Sequence, residues 1–149
     1  MGGSRHGAAA RWSSFAAVVV VAVTTGCTDG TPLEHTVAGS VTGGPGGEAS
    51  VTVDPDEVAQ GWAAAGGPAL DLPDGHVALL LTSGAIRRPE VTSVRDRDGT
   101  WVVHVDSERL GDGCVEPAVV TVVSILVHVR TTVRPDDVRL DVSEHRGTC

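Results

Sequence analysis

The hydropathy of this chain changes character several times along its length. Residues 15–23 form an unbroken apolar run, preceded by Arg5 and Arg11 and followed by Thr24, Thr25, Gly26 and Cys27. Residues 28–53 are rich in Gly, Thr, Ser and Pro, with GGPGG at 43–47. Such a stretch buries too little apolar surface to offset the entropy lost on ordering. It is predicted to be a flexible tether averaging about 25–30 Å from end to end. Asp54-Pro55-Asp56-Glu57 then supplies an N-cap acid, a proline at the first helical position and a glutamate three residues after the cap. A short helix is predicted from there to about Ala65, stopped by Gly66-Gly67-Pro68, with Val58 and Trp62 on one face packing on the core.

Beyond residue 75 the period becomes that of strands. Residues 76–83 form a short apolar run between turn residues. Residues 90–95 and 100–106 flank Asp96-Arg97-Asp98-Gly99, whose Asp-Gly supplies the positive φ of a hairpin turn. In the second arm Trp101, Val103 and Val105 share one face, and Val102 and His104 the other, as in a central strand. Residues 118–131 are β-branched and interrupted by Thr121, Ser124 and His128, which predicts a strand rather than a membrane span. Val138, Leu140 and Val142 alternate with Arg139, Asp141 and Ser143, the pattern of a half-exposed terminal strand. One short N-terminal helix and at least five mostly antiparallel strands predict a mainly β fold over 54–149, either a small antiparallel β-sandwich or an α+β sheet. No internal repeat is visible.

The chain has 149 residues and a formal net charge of −8, and every basic side chain is Arg. Abundant Gly, Ala and Val with no Lys is the composition of a high-GC, actinobacterial type of source. Removal of residues 1–26 would leave nine Arg against nineteen acidic residues, a net charge of −10. An acidic surface disfavours nucleic acid and anionic lipid headgroups as partners.

Arg5 and Arg11, the apolar run and the small residues before Cys27 have the layout of a secretory signal, and the run is too short to span a bilayer. Ending on a thiol, the segment resembles the lipobox of bacterial lipoproteins cut by signal peptidase II. Gly26 matches the small residue before the cut, and Thr24 stands where leucine is most frequent. The resemblance implies a signal peptide over 1–26, lipidation of Cys27, and attachment to the outer side of the cell membrane through acyl chains. Two or more acyl chains suffice for stable anchoring. In that compartment the remaining thiols, Cys114 and Cys149, are expected to form a disulfide, since neither CxxC nor a paired histidine marks a metal site.

The chemistry is sparse. No GxSxG, HExxH, P-loop or dinucleotide fingerprint occurs, and no catalytic residue, metal site or cofactor is expected. His104 and His128 lie on predicted strands where they could approach one another. Ser83, His104 and Asp106 are the residue types of a hydrolase. Asp96, Asp98 and Gly99 are similar to part of a calcium loop without its other ligands, and Asp136-Asp137 reads as a solvated turn after Pro135. Residues 77–129 resemble in outline the small β domain of the PrcB family: an apolar strand, a turn at Gly84, a hairpin, a loop holding Cys114 and a threonine-bearing strand. That family's glycine-tyrosine after its proline is replaced here by Arg88-Pro89-Glu90. The resemblance implies a binding role and transfers no site residue. The expected function is therefore a membrane-anchored, non-catalytic binding or protein-interaction module of the cell envelope, acting on an envelope protein or ligand. A cell-envelope hydrolase and a structural or assembly lipoprotein are the alternatives.

Overall fold

The computed structural model describes residues 30–43, 47–115 and 121–148. Residues 1–26, expected to be a signal peptide, and Cys27 and Cys149 lie outside them. Eight strands and one helix follow in the order β1 (Thr31–Pro32), β2 (His35–Thr42), β3 (Ser50–Thr52), α1 (Pro55–Ala64), β4 (His76–Thr82), β5 (Glu90–Arg97), β6 (Thr100–Arg109), β7 (Val123–Arg130) and β8 (Asp137–Arg146). The fold is mainly β, as the alternating pattern predicts. Sheet A has the order β1-β5-β6-β8 and sheet B the order β2-β7-β4-β3.

The two sheets close over one aliphatic strip. Val77, Leu79 and Leu81 of β4 and Ile125, Val127 and Val129 of β7 meet Val91 and Val94 of β5 and Trp101, Val103 and Val105 of β6. Period-two side-chain alternation produces this inner face, with one interruption. Thr92 bulges out of register between Val91 and Ser93, so Val91 and Val94 both point inward although three residues apart. The β5–β6 hairpin forms as expected: Arg97 pairs with Thr100 across a two-residue turn in which Asp98 has φ 51° and Gly99 φ 90°. Both central residues of a type I′ turn need that left-handed region.

Helix α1 covers the outer face of sheet B, where Val58 and Trp62 pack on Leu80 of β4 and Leu126 of β7. Its ends are closed as the local sequence dictates. Asp54 accepts from the N–H groups of Asp56 and Glu57 at 3.0 and 3.1 Å. Gly66 N–H donates to Ala63 O and Gly67 N–H to Trp62 O, the paired bonds of a Schellman stop. The indole of Trp62 donates to Pro68 O at 2.8 Å. A Cβ on Gly67 would overlap the indole, and one on Gly39 of β2 would lie 3.3 Å from it.

Three expectations are corrected. The tether predicted over 28–53 is largely strand: β1 pairs with β5, β2 with β7 and β3 with β4. The folded body therefore includes strands from Thr31 on, well before Asp54, and α1 follows three strands instead of preceding them all. Backbone pairing with β7, which lies between β2 and β4, orders a segment whose side chains could not order it. Secondly, β8 runs parallel to β6, from Thr100↔Asp137 to Arg109↔Arg146, because β7 crosses to the other sheet between them. Thirdly, the strand predicted over 118–131 begins only at Val123; 116–120 lie outside the described residues.

Truncating the residue that fixes α1 to sheet B is expected to be severe. Trp62→Ala should lose about 3–5 kcal/mol of unfolding free energy, and Asp54→Ala about 1 kcal/mol through the lost cap. Both are read from urea unfolding of the variants beside the native chain.

Candidate functional site

The outer face of sheet A has no helix over it among the described residues. The strand registers set its side chains in rows across β5, β6 and β8. Ser93, His104 and Asp141 form one row, Arg95, Val102 and Arg139 the next, and Glu90, Asp106 and Ser143 the row on the other side. His104 Nδ1 lies 2.9 Å from Asp141 Oδ2. The face thus carries an arginine band beside an acidic band, with half-buried Val102 and His104 at its centre. A surface with banded charge can match the potential of a macromolecular partner.

The candidate hydrolase residues do not come together. Ser83 is fully buried, and its hydroxyl accepts from Val123 N–H at 2.8 Å, joining the ends of β4 and β7. His104 and Asp106 lie on the outer face of sheet A. His128 projects from the outer face of sheet B, since Ile125, Val127 and Val129 take the inner phase of β7. His104 and His128 are therefore on opposite outer surfaces of the sandwich. Asp96 Oδ1 accepts from Gly99 N–H at 2.9 Å, which closes the hairpin. Asp136 donates its backbone N–H to Gly99 O at 2.7 Å, so the turn after Pro135 braces that hairpin. Among the described residues no three His, Cys, Asp or Glu side chains converge as metal ligands would.

The neighbour of His128 is instead His76, with ring centroids 6.4 Å apart and planes at 64°. His76 pairs across to Arg130 at the start of β4, and its Nδ1–H donates to Asp74 O at 2.9 Å. His128 Nε2 is buried and has no hydrogen-bond partner among the described residues. Its pKa is held below the usual histidine value by burial first and then by the charge of His76, with Asp71 opposing. His76 also lines a cavity of about 320 Å³ between the start of α1 and the 131–134 loop, with Val53, Leu72, Ala78, Thr131 and Arg134. The sequence signal for this pair was the spacing of two outer-phase histidines on strands that prove to be neighbours, and nothing in the sequence named the pairing.

Cys114 is not a free thiol. A Cβ on Gly111 would lie 3.0 Å from Gly147 O and 3.7 Å from Cys114 Sγ, so the end of the chain runs beside the Cys114 loop. Gly147 N–H donates to Arg109 O at 2.7 Å, and Arg146 Nη1 lies 3.2 Å from Asp112 Oδ2. Among the described residues no helix is long and apolar enough to cross a membrane.

Neither family models, nor curated proteins, nor solved structures give a match to this chain. The lipobox and the PrcB-like outline therefore rest on their motifs alone.

The sign of the His128 effect follows from linkage. Below a pH of about 6.5 the unfolded chain takes up a proton that folded His128 resists, so stability falls as pH drops through that value toward the lower folded pKa. Urea unfolding of the native chain between about pH 7.5 and pH 5.5 should show this loss. His128→Leu should flatten that part of the profile, and an unchanged slope would show that His128 is not its source.

Proposed function

We propose that the chain is a lipoprotein of the cell envelope, anchored by acylated Cys27 on the extracytoplasmic side of the membrane, and that its β body is a non-catalytic interaction module. The open, charge-banded outer face of sheet A carries the interaction half of this reading. The buried and occupied hydroxyl of Ser83, remote from the outer-face His104 and Asp106, argues against the hydrolase alternative.

Ordering of β1 alters the anchor's geometry. Thr28 and Asp29 alone separate Cys27 from Gly30, and three residues extend at most about 11 Å. Gly30 packs against the backbone of Asp96, and its carbonyl accepts from Arg95 Nη1. In this reading the sandwich is held close to the bilayer instead of ranging from it. The β5–β6 turn, the 131–136 loop and the His76 cavity lie on the near side. Part of the reading is a disulfide between Cys114 and Cys149 at the far end, supported by the approach of Gly147 to the Cys114 loop.

Cys27→Ala should move the protein from the membrane to the soluble fraction with loss of the acyl mass; unchanged partitioning sinks the anchor. Turnover of an envelope ester or peptide that disappears with His104→Ala would replace the interaction reading with an enzymatic one. For the disulfide, thiol labelling without reductant should leave Cys114 unmodified in the native chain and label it in Cys149→Ser. That variant should also be about 3–4 kcal/mol less stable in the chain-entropy account.

A further inference from the structure

The free edges of the two sheets are unequal. β1 has two residues and β3 three, and β2 is broken by a bulge at Ala38 between Val37 and Gly39. Short edges and bulges are how sheets avoid pairing with other chains. β8 has neither. It holds register with β6 over all ten residues, and no described strand pairs with its other side. It contains no proline, and its first inward positions are Val138, Leu140 and Val142 rather than charges. Val138 and Leu140 pack only partly on the core, and Val142 is 42% exposed. The strip that closes the sandwich therefore runs out, unfinished, at this edge.

We propose that β8 is the interface for a second copy of this chain, which adds antiparallel across a two-fold axis at Leu140 and joins the two A sheets into one. Such an axis, perpendicular to the sheet, keeps each inner face continuous with its partner's and makes the contact isologous. Leu140 then stands opposite Leu140 of the second copy, Val138 opposite Val142, and Arg139 opposite Asp141, the last two pairs each occurring twice. Apolar side chains meet on the inner face and opposite charges on the outer one, and both kinds of cross-strand pair are favourable. Neighbouring registers lack this match. An axis at Arg139 sets Arg139 against its own copy, and one at Asp141 does the same with Asp141. Within one chain Arg139 contacts exposed Asp137 at 3.4 Å, and Asp141 is 56% exposed beside His104, so both charges can reach across the edge. Main-chain hydrogen bonds supply the rest of the interface, as in other strand additions.

The experiment is sedimentation of the full chain in mild detergent over a range of concentrations. The native protein dimerises. Arg139→Asp sets two aspartates against each other at both symmetry-related sites, and Asp141→Arg does the same with two arginines. Each should weaken the dimer at least about tenfold. The double exchange, Arg139→Asp with Asp141→Arg, restores opposite charges in this register and should restore the dimer. A native monomer at every concentration overturns the proposal. So do single variants that dimerise like the native chain, or a double exchange that stays monomeric with a native urea midpoint. Hydrogen exchange needs no substitution: β8 amides should gain protection as concentration rises, and exchange there independent of concentration also overturns it.

Discussion

One strip of aliphatic side chains between β4 and β7 on one side and β5 and β6 on the other has to be kept dry, and most of the remaining structure serves that closure. With Trp101 as its one aromatic side chain, the strip is built from Val, Leu and Ile, whose branched shapes fit a pleated surface but cannot span large gaps. Strand phase therefore has to be kept closely. Where the sequence slips phase, at Thr92, a bulge absorbs the extra residue and both flanking valines still reach the interior. Ser83, which cannot contribute apolar surface, serves by joining β4 to β7 through its hydroxyl. Helix α1 repeats the arrangement on a smaller scale, burying Trp62 where Gly39 and Gly67 leave room for the indole.

What the sequence made legible was local. The cap at Asp54, the stop at Gly66-Gly67, the Asp98-Gly99 turn and the two-faced character of β6 each depend on residues within a few positions of one another. The unread parts depend on partners far away in the chain. Composition marked residues 28–53 as tether, yet β2 is ordered by backbone pairing with β7 and by the space Gly39 leaves for Trp62. Hairpin logic expected antiparallel neighbours, while β8 lies parallel to β6 because the chain first visits the other sheet. His104 and His128 are both readable as residues on strands; which sheet each belongs to is not, and that decides whether they meet. The charge bands of sheet A were hidden for the same reason, since Arg95 and Arg139 become neighbours only once β6 lies between them.

The two outer surfaces of the sandwich have consequently different physics. Sheet B spends its outer face on α1, and leaves beside the helix a histidine whose Nε2 has no partner among the described residues. Sheet A has no helix over its outer face among the described residues and carries charge of both signs there, so any contact that face made with another molecule would be governed by complementarity and ionic strength. A protein with one covered and one open sheet has a front and a back. The back supplies stability, and the front is where a second molecule has least to displace.

The parallel placement of β8 has a bearing on how the chain acquires its fold. A hairpin such as β5–β6 forms from neighbouring residues, but β1 and β2 wait for β5 and β7, and β6 waits for the last strand. Contacts so distant in sequence must meet the entropy of closing long loops before they return anything, which makes such folds slow. Until residues 137–146 are free to pair, the open edge of β6 is bare and Trp101 and Val103 lack their neighbours Val138 and Leu140. A ribosome still holding residues 137–146 thus holds an unclosed sandwich.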